Sequence, residues 1–263
     1  MSFSRLHLVQ RPARLALLAG TAALLLGACA ANPTTTGSLG ATPDFSAAPA
    51  EQVQGAIGKL QQAYKRNPKD RTTMLYYAAA LRANGQAEQA VAVFDAGIGL
   101  YRRDMVVMVA YAKALAAAGR FEQSINVVES AIDPTAPDWN ALLVKGAILD
   151  QVGRNAEARE AYAVALKIAP QQASIHANLG LSYAMTNELD AAEKELRLAV
   201  TLRGATSQVR QNLALIVGLQ GRFAEAQKLF AAELPPEQVE SNMSYIRALL
   251  TQQNRWDLIK STG

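Results

Sequence analysis

Five residues recur along this chain at intervals of 34: Gly85, Gly119, Gly153, Asn187 and Gly221. A fixed period of that length commits a chain to stacked copies of one supersecondary unit. Glycine enters a left-handed backbone at a helix end without steric cost, and asparagine is the side chain that replaces it best. The column therefore reads as a series of helix C-termini. Seven positions earlier stand Ala78, Ala112, Gly146, Gly180 and Ala214, and five positions later Ala90, Ser124, Ala158, Ala192 and Ala226. Small residues on both sides of a turn let two helix backbones cross closely. Apolar columns run beside them: Leu81, Leu115, Leu149, Tyr183 and Val217, then Phe94, Val128, Tyr162, Leu196 and Phe230. Spacings of three, four and seven put these on one helical face. Each row is thus an all-α hairpin whose apolar side needs a neighbouring hairpin to cover it.

With small residues at its eighth and twentieth positions, the 34-residue row resembles the tetratricopeptide repeat (TPR). The full rows are 71–104, 105–138, 139–172, 173–206 and 207–240. The proline common near the end of such repeats stands here only at Pro68 and Pro170, and the fourth-position tryptophan is missing. The resemblance implies a right-handed α-solenoid. Carrying the phase outward makes 51–67 a lone second helix with Ala56, Leu60 and Ala63. At the other end it makes 241–253 a capping helix with Ala248 in the small column, so the array occupies 51–263.

The first 28 residues follow another pattern. Arg5, Arg11 and Arg14 precede an uncharged run from Leu15 to Leu26, the layout of a secretory signal peptide. Its 12 residues fall short of the roughly 20 needed to span a bilayer. The run closes on Leu26-Gly27-Ala28-Cys29, which resembles the bacterial lipobox. That resemblance implies lipidation of Cys29, removal of 1–28, and a lipid-anchored protein. Ala30 after the cysteine favours the periplasmic face of the outer membrane. As Cys29 is the only cysteine, no internal disulfide is expected. Residues 29–50 follow as a lipidated cysteine and tether with three prolines, a composition typical of flexible linkers. The 26 basic and 22 acidic residues become 23 and 22 once the three leader arginines are removed, so the apparent basicity belongs to the leader. The short clusters Lys65-Arg66 and Arg102-Arg103 read as solvated helix ends, not a nucleic-acid stripe.

No catalytic constellation is visible, and the sequence calls for no cofactor or metal. His176, the one histidine after the leader, occupies a helix-packing position. Gly97 and Gly99 lack the preceding strand of a phosphate loop. Asp150, Glu157 and Glu160 read as exposed helix carboxylates. Binding is what remains. The TPR resemblance implies a concave groove lined by the first helices, at Leu75, Arg82, Val106, Val109, Lys113, Asn140, Leu143, Asp150, Leu181, Met185, Gln208, Gln211, Leu215 and Leu219. Such a surface suits an amphipathic helix or a short apolar segment of a protein partner. Replacing Leu143 and Leu181 by glutamate is expected to weaken capture with little loss of helicity.

Lipobox, tether and array together resemble the TadD-like lipoproteins of the Tad/Flp tight-adherence pilus system. So does the tail, a Leu234-Pro235-Pro236 break leading into Asn242-Met243-Ser244-Tyr245-Ile246-Arg247. The resemblance implies a non-enzymatic adaptor in pilus biogenesis, with pilotin-like support of the secretin and partners among Tad assembly components. The alternative is a scaffold for outer-membrane protein insertion or for peptidoglycan enzymes. An enzyme with a repeat-built site is the remaining class, and it would need a catalytic group that the sequence does not display.

Overall fold

The computed structural model of the chain describes Phe45 and residues 48–261, with side chains to Gln252. The leader, Cys29 and most of the tether lie outside the described residues. Those described form twelve α-helices and one 3-10 turn, Ile98–Leu100, with no strand. Helix α1 (Ala50–Arg66) stands alone. Five hairpins follow: α2 (Arg71–Ala83) with α3 (Ala87–Gly97), α4 (Met105–Ala117) with α5 (Phe121–Ala131), and α6 (Trp139–Gln151) with α7 (Asn155–Ile168). The last two are α8 (Ala173–Met185) with α9 (Leu189–Thr201), and α10 (Ser207–Leu219) with α11 (Phe223–Ala231); α12 (Pro236–Ser261) ends the array.

Each turn of the glycine column has the same backbone. Gly85, Gly119, Gly153 and Gly221 have φ between +74° and +82°, and Asn187 has φ +64° as the one described non-glycine residue with positive φ. The next residue then donates its N–H to the carbonyl five positions back, as Arg154 does to Leu149 at 2.9 Å and Glu188 to Tyr183 at 2.9 Å. This is the Schellman closure of a helix C-terminus. The same residue opens the second helix, so one backbone motif ends one helix and aims the next.

The starts of the first helices form a 34-residue column of their own, which the sequence reading did not pick out. Asp70, Asp104, Asp138 and Thr206 each accept a backbone N–H three residues on, at 2.7, 3.2, 2.9 and 3.4 Å. Such caps satisfy amides that the helix leaves open. Gln172 holds the fourth place in the column without a side-chain cap.

Three contiguous apolar clusters fill the array from α1 to α12. The small columns work as the period requires. A Cβ added at Gly146 would lie 2.4 Å from the Tyr162 ring, so the largest residue of its column fits because its partner is the smallest.

The C-terminal helix departs from the expected 241–253. It starts at Pro236, whose fixed φ and missing N–H suit the first helical position. It then runs 26 residues, about 39 Å. Its buried face is Val239, Met243 and Ile246, with Leu250 partly buried, while Ala248 is exposed. The small column therefore ends at Ala214. The bulky face docks instead against Gly218, where an added Cβ would lie 2.7 Å from Ile246 Cδ1.

Candidate partner-binding surface

The first helices do not present one open apolar stripe. Leu75, Val109, Leu143 and Leu181 are buried, at 3–6% exposure. Successive first helices pack directly on one another, α2 on α4, α4 on α6, α6 on α8 and α8 on α10. Their aliphatic side chains consequently fill the seam between neighbours. Helix α8 is the most enclosed, with every residue from Ala173 to Ser182 buried. A charge forced into that seam would unfold the array. Leu143→Glu and Leu181→Glu therefore report on folding and not on capture, which corrects the expectation above.

Nine residues of the sequence-derived set remain partly exposed: Arg82, Val106, Lys113, Asn140, Met185, Gln208, Gln211, Leu215 and Leu219. Seven of them lie toward the two ends, while Asn140 and Met185 stand between, on α6 and α8. At the N-terminal end, Arg82 and Lys113 rim a shallow depression over Leu75, Ala78, Ala79, Phe94, Ala110 and Ala114. At the other end, α10 presents Gln208, Gln211, Leu215 and Leu219. Beneath Gln208 lies Asn212, which sequence reasoning missed although it stands one period after Asn178. Its Oδ1 accepts from Gln208 Nε2 at 3.0 Å, while its buried Nδ2 has no partner among the described residues.

Asp150 is also corrected: it is buried, not solvated. Its Oδ1 accepts from Asn155 Nδ2 and Ser182 Oγ, both at 2.7 Å, and its Oδ2 accepts from Tyr162 Oη at 2.9 Å. Burial pushes its carboxyl pKa up, against the pull of these hydrogen bonds. Beside it, Arg159 donates to the Ser182 carbonyl at 3.0 Å and to Glu188 at 2.8 Å, and it stacks 4.3 Å from the Tyr183 ring centroid. The cluster ties the third hairpin to the fourth. Its three donors engage both carboxylate oxygens, so the arrangement holds the repeats together.

His176 is packed, at 7% exposure. Its Nδ1 faces Glu195 Oε2 at 2.8 Å and its Nε2 faces the Pro170 carbonyl at 3.0 Å. Two acceptors call for a proton on each ring nitrogen. The Glu195 hydrogen bond accordingly raises the imidazole pKa, opposed by burial. Among the described residues, no cluster of acidic, histidine or cysteine side chains could hold a metal ion, and no helix is long and apolar enough to cross a membrane.

The period, the turn geometry and the hairpin packing agree with a direct comparison of sequences. The tetratricopeptide repeat family profile matches residues 47–104, 110–173 and 153–207, together more than half of the chain. The chain belongs to the tetratricopeptide-repeat family. No functionally curated protein matches it. Solved structures with the same fold include the APC/C hetero-tetramer Cut9–Hcn1, at 15% identity and TM-score 0.60, over 78% of this chain and 41% of that one. The human IFIT1 dimer with PPP-AAAA aligns at 16% identity and TM-score 0.59, over 74% and 49%. PilF of Pseudomonas aeruginosa aligns at 14% identity and TM-score 0.55, over 74% and 90%. At these identities the likeness is one of fold. The tetratricopeptide array makes the protein a scaffold for protein–protein interaction.

Proposed function

We propose that this tetratricopeptide scaffold is a lipid-anchored adaptor on the periplasmic face of the outer membrane. Its work is to support assembly of a Tad/Flp pilus secretin by binding a protein segment. Two sequence features support the pilus assignment: the Leu26–Cys29 lipobox-like motif and the Pro235–Arg247 tail. The observation that carries the binding role is the α10 surface. There Gln208, Gln211, Leu215 and Leu219 stand partly exposed on one helix, two amides beside two aliphatic side chains. The aliphatic pair supplies the apolar contact that a bound helix or extended segment requires.

Leu215→Glu with Leu219→Glu is the suitable variant, because both side chains are only partly buried. Pull-down of the secretin from envelope extracts should fall at least several-fold while the circular dichroism stays that of wild type. A deletion strain should contain less secretin multimer in its outer membrane. Unchanged multimer in that strain removes the pilus reading, whereas unchanged pull-down by the variant moves the binding surface elsewhere on the array.

A further inference from the structure

The two edges of the array differ in how they carry charge. Along the edge of the hairpin turns several arginines are neutralised. Arg120 faces Glu88 at 3.8 Å, Arg154 pairs with Glu157 at 2.6 Å, and Arg222 pairs with Glu225 and Glu193 at 2.5 and 2.7 Å. The opposite edge carries the loops between hairpins. At its first two loops and the helix end that leads into the first, Lys65, Arg66, Lys69, Arg102 and Arg103 are all exposed, and none has an ion pair among the described residues. The loops touch, since Tyr101 Oη donates to the Lys69 carbonyl. Two clusters that are separate in sequence thus become one basic patch. The nearby carboxylates are engaged with their own helices: Asp70 caps α2, and Asp104 caps α4 while holding Arg71. Amid the cations stands Leu100, 59% exposed.

A helix dipole accounts for Lys65 and Arg66, which lie in the last turn of α1. It does not account for Arg102 and Arg103, which follow the 3-10 turn, or for an exposed leucine between them. We infer that this edge docks on a membrane surface of anionic phospholipid, with the five cations on headgroup phosphates and Leu100 in the interface. A patch of cations around an aliphatic side chain is the pattern that anionic bilayers retain. The inference rests on the anchored reading for its geometry. The 20 residues between Cys29 and Ala50 reach about 70 Å at full extension, enough for α1 to stand with its C-terminal end against the bilayer.

The test uses the processed chain, residues 29–263, carrying Cys29→Ala, so that neither a lipid anchor nor the leader's arginines and apolar run contribute, and its failure is distinct from failure of the anchor. Co-sedimentation is compared on vesicles of phosphatidylcholine alone and of phosphatidylcholine mixed with phosphatidylglycerol, at low and high salt. The second protein carries Lys65→Glu, Arg66→Glu, Arg102→Glu and Arg103→Glu, all at exposed sites, with folding checked by circular dichroism. Binding to the anionic vesicles is expected to exceed that to the neutral ones, and to fall roughly tenfold or more on charge reversal and at high salt. Equal sedimentation of the two proteins, or no preference for phosphatidylglycerol, overturns the inference. Retention of duplex DNA by the same residues without that preference also overturns it, and reassigns the edge to nucleic acid.

Discussion

Among the described residues Asp150 is the one buried carboxylate, and Asn155, Ser182 and Tyr162 all donate to it. Asp150→Ala leaves those three donors without their acceptor and is expected to cost about 3 kcal/mol in denaturant unfolding. Asp150→Asn keeps the shape and should cost much less. Because burial raises the folded carboxyl, the folded protein takes up this proton first as pH falls. The desolvation penalty is present above the folded pKa and relieved below it, so wild type should gain on Asp150→Asn as pH drops toward the ordinary carboxylate range. His176 runs the other way. Its raised pKa makes the Glu195 contact fully stabilising below the ordinary 6.5, and that stability is lost as pH rises through the folded value. Glu195→Gln should lower the His176 midpoint in NMR titration and flatten this part of the pH–stability curve. Neither residue's setting was legible in one dimension. Asp150 shares its repeat position with Arg82, Ala116, Ala184 and Gly218, and its acceptor role depends on Ser182, a full hairpin away.

Helix boundaries in this array are set by short-range chemistry, so most of them were readable. A left-handed residue ends each first helix, and a capping side chain starts most of them. The exception is α12. Its phase follows the proline at its start and the aliphatic face Val239, Met243 and Ile246, not the 34-residue register. Ile246→Ala should open a cavity over Gly218 and destabilise the array by about 2–4 kcal/mol in thermal or denaturant unfolding.

At the scale of the molecule, contacts run between neighbouring hairpins and between successive first helices. The second kind decides the binding surface. It draws Leu75, Val109, Leu143 and Leu181 into the seam and leaves accessible positions toward the two ends, beside Arg82 and Lys113 at one and on α10 at the other. A resemblance to a groove supplied the list of lining positions, but the spacing of adjacent first helices determines which of them meet water. The basic patch likewise exists only once the loops are stacked, since Lys69 and Arg102 become neighbours through the Tyr101 hydrogen bond. The sequence by itself determined the repeat, the hairpin, the turn conformation and the small-on-large crossings, because each depends on residues within one period. Tertiary structure alone decided exposure, the Asp150 junction, the register of α12 and the union of two basic clusters, because each depends on how one period packs against the next.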